Sequence, residues 1–164
     1  MKSLLSAVAL TVGLIGSATI SSAETPAPGK VVLRIEGKLK DGKSVEFSRA
    51  DLEKLGVSTI RTTTPWYDGV QTFEGVPLAA LMHKVGADGR KAQVVALNKY
   101  RTEIPFNDFA QYQPILALKR DGQYMDVKDK GPLFIVYPFD AKPELKSEQY
   151  YGRSAWQVRT ISVE

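Results

Sequence analysis

The chain contains no cysteine, and that single absence removes more chemistry than most of its residues supply. It excludes disulfides, thiolate nucleophiles and thiolate metal ligands together. Histidine is almost as scarce, with His83 alone. A Ser-His-Asp triad would have to use it, and no Gly-x-Ser-x-Gly elbow accompanies it. His83 lies off the apolar stripe of its predicted helix, so it reads as a solvent-facing surface residue. There is no His-Glu-x-x-His, no histidine cluster and no calcium loop, which leaves zinc and EF-hand sites unsupported. Neither a P-loop nor a Gly-x-Gly-x-x-Gly fingerprint occurs. No residue is therefore assigned a catalytic or metal-ligating role.

Charge of one sign is thin as well. The net charge is +4, from 22 basic and 18 acidic residues, with no block of like charge. Nucleic acid and a polybasic membrane patch are poor partners on these grounds. Long apolar runs are confined to Leu4–Ile15, which follows Lys2 and precedes the small residues Ser21-Ser22-Ala23. That layout predicts a secretory signal peptide over residues 1–23, cleaved after Ala23, because the run is shorter than the roughly 20 residues a bilayer needs. The expected location is periplasmic or secreted, with no membrane span after signal removal. Cleavage takes one lysine and lowers the net charge from +4 to +3. Residues 24–30, with two prolines and a glycine, read as a flexible lead-in to one domain over 31–164.

What is present reads as short strands punctuated by turns. Val31–Ile35 and Ser44–Phe47 flank Asp41-Gly42 as a hairpin. Ser48 with Asp51 forms a capping-box pattern ahead of a helix over Ala50–Leu55. Val57–Thr64 is predicted extended, since the Thr62-Thr63-Thr64 triplet is β-branched and Pro65 disfavours helix before it. Asp68-Gly69, after Trp66 and Tyr67, is expected to turn the chain. Leu78, Leu81, Met82 and Val85 recur at three- and four-residue steps, an apolar helical stripe begun by Pro77 and stopped by Gly86.

Further along, Lys91–Leu97, Tyr100–Phe106, Ile115–Leu118 and Ala155–Val163 are predicted strands, with a helical turn capped by Asn107 or Asp108 and running to Tyr112. Asp121-Gly122 and Lys130-Gly131-Pro132 are turn signals. Leu133–Tyr137 is the most hydrophobic strand after residue 23 and is expected to be central. Pro138–Gln149 reads as an irregular surface loop, and Asp126 and Asp129 as solvated loop charges. Without a βαβα rhythm or a repeat, the fold class is mixed, sheet-dominated α+β.

Two segments carry functional readings. Tyr150-Tyr151-Gly152-Arg153-Ser154-Ala155-Trp156 is either an anion-binding loop, through Arg153, the Ser154 hydroxyl and backbone N–H groups, or an ordinary loop with an exposed arginine. Asn98–Pro105 places polar residues at a strand tip.

Taken together, Phe73–Leu81, Ala96–Tyr100 with Ile104-Pro105, Ile115–Leu118 with Asp121-Gly122, Gly131–Pro138 and Arg153–Val158 resemble, in that order, the oxidoreductase molybdopterin-binding domain of the sulfite-oxidase type. The resemblance spans about residues 31–163. It implies a mixed α+β fold and, in active members, molybdenum held by a pterin dithiolene and one protein cysteine. That cysteine is expected near Thr62 or Thr63, where this chain has only hydroxyls, far poorer ligands for a thiolate-preferring site. The Tyr-Gly-Arg-Ser segment resembles the family's pterin-phosphate loop. Thr62, Thr63, Tyr100, Arg153 and Ser154 are thus the candidate cofactor-contacting residues, and molybdopterin is the cofactor that the resemblance implies. Two functions follow. One is a non-catalytic exported domain that binds a small anionic ligand or a periplasmic partner protein. The other is a molybdopterin-dependent oxidoreductase with a non-cysteine metal ligand.

Overall fold

Apolar alternation builds the first sheet. The computed structural model describes residues 29–164, so residues 1–23, expected to be a signal peptide, and residues 24–28 of the expected lead-in lie outside the described residues. In chain order the elements are β1 (Val31–Gly37), β2 (Val45–Ser48), α1 (Arg49–Glu53), β3 (Ser58–Thr64), β4 (Tyr67–Pro77), α2 (Leu78–Lys84), β5 (Lys91–Ala96), β6 (Arg101–Pro105), α3 (Phe106–Tyr112), β7 (Ile115–Arg120), β8 (Gln123–Tyr124), β9 (Phe134–Val136), α4 (Glu148–Arg153) and β10 (Val158–Val163). One sheet has the order β2-β1-β10-β5-β6, parallel only between β1 and β10. The other runs β3-β4-β7-β8, with β9 also pairing to β7. This is a sheet-dominated α+β domain.

The two sheets and the helices share one main core. Leu33 and Ile35 of β1, Val94 of β5 and Ile161 of β10 pack in it with Leu81 of α2 and Leu116 of β7. Each such side chain stabilises the fold by about 1.5–3 kcal/mol through burial. A second, smaller cluster lies on the opposite face of β7 and β9, around Phe73, Ile115, Ala117, Phe134 and Val136. β7 and β9 are therefore apolar on both faces, which is why their sequences run Ile-Leu-Ala-Leu and Phe-Ile-Val without alternation.

Several expectations are corrected by this arrangement. Leu133–Tyr137 is fully buried as expected of a central segment, but its strand β9 is only three residues long: it pairs along β7 on one edge and makes a single bridge, Phe134 to Trp156, on the other. Asp68-Gly69 does not turn the chain. The β3–β4 turn is Pro65-Trp66, because Thr63 faces Val70 while Thr64 faces Tyr67, leaving Asp68 and Gly69 as a bulge within β4. Gly69 adopts φ +71°, the conformation that made Asp-Gly resemble a hairpin turn. Pro138–Gln149 is not simply surface: Phe139 and Leu145 are fully buried, and Pro143–Leu145 forms a 3₁₀ turn. Tyr150–Arg153, expected as a flexible loop, forms most of α4. The capping box at Ser48 and Asp51 is present as predicted, with both reciprocal bonds made.

Gly75 is the tightest point between β4 and β7. A Cβ there would collide with the Leu116 carbonyl oxygen and the Ala117 Cα, both backbone atoms that cannot swing aside. Gly75→Ala should therefore destabilise the domain by about 1–3 kcal/mol. A shifted urea midpoint checks this, and an unchanged midpoint would show that β4 and β7 can separate freely.

Candidate functional site

The β3–β4 turn organises the site. Pro65-Trp66 sets the Trp66 indole among four other rings: Phe134 at 5.4 Å, Trp156 at 5.6 Å, Tyr151 at 5.9 Å and Phe139 at 6.3 Å between centroids. All four meet it edge to face, with interplanar angles from 62° to 80°. Such pairs contribute about 0.5–1.5 kcal/mol each beyond simple burial. Trp66 thus joins the two apolar clusters, and the space beside it is a cavity of about 220 Å³ lined by Trp66, Asn98, Tyr100, Tyr151, Ser154 and Trp156.

Of the five candidate residues, the structure brings Tyr100 and Ser154 together at this cavity. Tyr100 reaches it from the β5–β6 loop, where its hydroxyl donates to the Gly152 carbonyl at 2.7 Å. Ser154 sits at the end of α4 and donates to the Tyr150 carbonyl at 2.9 Å. Thr62, Thr63 and Arg153 are not among the lining residues.

Thr62 and Thr63 are instead clamped to Asp140. Thr62, with no exposure, accepts from the Asp140 backbone N–H at 3.0 Å and donates to the Thr63 carbonyl at 3.2 Å. The Asp140 carboxylate accepts from the Thr63 backbone N–H and from its hydroxyl, both at 2.6 Å. Lys146 pairs with the same carboxylate at 2.6 Å. Lys146 and then the Thr63 donors hold the Asp140 carboxyl down at about 2.

Arg153 is held elsewhere. Its guanidinium pairs at 2.9 Å with the Asp108 carboxylate, which is only 5% exposed. The Tyr137 hydroxyl donates to the same oxygen at 2.7 Å. Burial, and then the Asp108 carboxylate, push the Tyr137 hydroxyl far above the usual tyrosine range, so it remains a donor. Any anion reaching Arg153 must compete with this buried carboxylate. Asn107 or Asp108 was expected to cap α3, but the N-cap is Pro105 and no side chain caps it; the Asp108 side chain turns into the core. Asp126 and Asp129 are likewise not simply solvated. Asp126 caps the 3₁₀ turn at Val127–Asp129, and Asp129 pairs with Arg120 at 2.7 Å and accepts from the Tyr67 hydroxyl. His83 is exposed on α2, and among the described residues no cluster of three or more His, Cys, Asp or Glu could hold a metal.

Asp140 and the cavity's aromatic walls were not grouped as a site from sequence. Trp66, Tyr151 and Trp156 are far apart in the chain, and only pairing of β3 with β4 and packing of α4 unite them. Asp140 lies in a polar, proline-containing stretch where nothing distinguishes it from other surface carboxylates.

This is an α+β domain with an aromatic pocket at one sheet turn. No protein-family model matches the chain, and no curated protein matches it. Among solved structures it is similar to the sulfane dehydrogenase SoxCD from Paracoccus pantotrophus, with a TM-score of 0.63 at 18% identity. The match covers 86% of this chain and 40% of that one, so the chain spans less than half of that protein's length. The likeness is one of fold.

Two predictions follow from these pairings. Pairing favours the charged form of Asp140, so its stabilising contribution is present above the ordinary carboxylate value of 3.8 and lost as pH falls toward about 2. Urea midpoints for Asp140→Asn should therefore fall less steeply than wild type across that window; parallel curves would show that the clamp carries no stability. Arg153→Ala should cost about 3–5 kcal/mol, because it leaves a buried carboxylate unpaired. Asp108→Leu combined with Arg153→Met should recover most of that loss in the same denaturation assay.

Proposed function

We propose that this chain is an exported, non-catalytic binding domain of the sulfite-oxidase-type molybdopterin-binding family, holding a small organic ligand in the pocket lined by Trp66, Tyr151 and Trp156. The observation that carries the reading is the state of Thr62 and Thr63. The resemblance calls for a metal-anchoring thiolate there, and the chain offers two hydroxyls already bonded to Asp140. A neutral hydroxyl is a weak ligand for a metal that prefers thiolate. Arg153, the candidate phosphate contact, faces Asp108. The residues present do not fit a cysteine-anchored molybdenum–pterin group, and no reaction step is derived through one.

The pocket supports binding on its own terms. It is concave, mainly aromatic and bounded by a few polar side chains, as small-molecule sites generally are. None of the described helices is long and apolar enough to cross a membrane. The fold likeness to SoxCD favours, as a second reading, a molybdopterin-dependent oxidoreductase with a non-cysteine ligand.

One preparation separates the two readings. The protein, made with residues 1–23 in a molybdenum-replete bacterial host and purified from the periplasm, should contain neither pterin nor stoichiometric molybdenum. Near-stoichiometric metal and pterin would overturn the binding-domain reading and establish the second. Recovery only from the cytoplasm, with residues 1–23 intact, would remove export.

A further inference from the structure

We infer that the pocket beside Trp66 takes a flat aromatic carboxylate of one or two rings, an assignment that rests on reading this pocket as a ligand site. Ring geometry gives the first reason. Trp66 meets Trp156 at 73° and Tyr151 at 80°, so the walls stand nearly perpendicular to one another. A planar ring seated in the cavity beside these walls can stack on one and present its edge to another, the two arrangements that aromatic quadrupoles favour. Size gives the second. A dry cavity of about 150 Å³ accepts benzene. The space here is about 220 Å³, enough for a substituted single ring or a fused pair.

Charge selects the substituent. Aromatic walls also suit a quaternary ammonium, but no carboxylate lines this pocket. The Lys130 ammonium instead stands 5.4 Å from the Trp156 ring centroid. Lys99 precedes Tyr100 on the exposed β5–β6 loop, and Arg101, the first residue of β6, follows it. None of these three cations has an ion-pair partner among the described residues. The nearest charged groups on the chain segments that build the pocket are thus cationic, with the Lys130 ammonium over both the Trp156 and the Tyr67 rings, which favours an anion over a cation. Asn98 accepts from the Tyr100 backbone N–H through its side-chain oxygen at 3.0 Å, which leaves its amide N–H groups to donate. The Tyr100 and Ser154 hydroxyl hydrogens are already directed to backbone carbonyls. The Asn98 amide donor at the edge of an apolar floor matches a carboxylate on an aromatic ring.

The chain provides its own reporter, because both of its tryptophans line the pocket. The purified protein is titrated with naphthoate, benzoate, neutral naphthol and choline, following tryptophan emission and the heat of binding. Saturable binding is expected for naphthoate, weaker binding for benzoate and none for choline. Trp156→Ala should weaken naphthoate by about tenfold or more. Lys130→Gln, a milder change, should weaken naphthoate severalfold while leaving naphthol unchanged. Choline binding without naphthoate binding, no saturable binding at all, or naphthoate affinity indifferent to both substitutions would overturn the assignment. Molybdenum and pterin are measured on the same sample. Pterin-free protein that ignores naphthoate refutes only the ligand class, whereas pterin-loaded protein refutes the binding-domain reading beneath it.

Discussion

A carboxylate buried in a protein interior must be paired, and in this fold Asp108 is that carboxylate. It sits at 5% exposure on α3 and takes the Arg153 guanidinium and the Tyr137 hydroxyl as partners. The three residues come from α3, from α4 and from the end of β9, so one charge fixes how a helix late in the chain docks on the core. Removing either ion would leave the other desolvated, a far larger penalty than the net worth of the pair. The orientation of α4 is accordingly strongly determined. Because Tyr151 and Ser154 lie on α4 and just beyond it, two walls of the pocket inherit that precision.

The same constraint decides what Arg153 can do. Seen as part of Tyr-Gly-Arg-Ser, it looks like an anion ligand on a pliable loop. In the fold, the loop is a helical turn and the guanidinium is directed inward. The cations nearest the pocket residues are Lys130, over the Trp156 ring, and Lys99 and Arg101, which flank Tyr100 in the chain; none of them was singled out as an anion contact from sequence. Anion affinity, where it exists here, comes from the rim and not from the residue whose sequence context advertised it.

Local patterns were legible and long-range pairings were not. The Ser48–Asp51 capping box, the α2 stripe and the Lys91–Leu97 strand depend on residues within a turn of one another, and the sequence pattern located each to within a few residues. Asp68-Gly69 misled because a glycine at positive φ serves a bulge as readily as a turn, and only the facing strand distinguishes them. α4 was missed because its single apolar stripe is made of tyrosines that pack against Tyr112, Tyr137 and Phe139 through their rings while keeping polar tips. Asp140 was invisible for the same reason as the pocket: its Thr62 and Thr63 partners are nearly eighty residues away. The candidate set named from sequence therefore divides in space, with Tyr100 and Ser154 at the cavity, Thr62 and Thr63 at the clamp, and Arg153 in the core.

The clamp and a metal anchor make incompatible demands on the tip of β3. A thiolate ligand there must keep its lone pairs for the metal and its surroundings open. At this tip the Thr62 hydroxyl and the Thr63 hydroxyl and backbone N–H are instead bonded to Asp140, itself held charged by Lys146. The clamp supports the turn that follows it. Thr64 accepts from the Trp66 backbone N–H, and Trp66 then enters its cluster of rings. Exchanging threonine for cysteine alone would therefore not create a metal site, since the Asp140 carboxylate and its bound loop would still close over the position. Opening that position requires displacing Phe139 and Leu145 with the loop, and both are buried in the main core. The hydrogen bonds that make β3 a poor metal anchor are thus continuous with the packing that builds the aromatic pocket beside it.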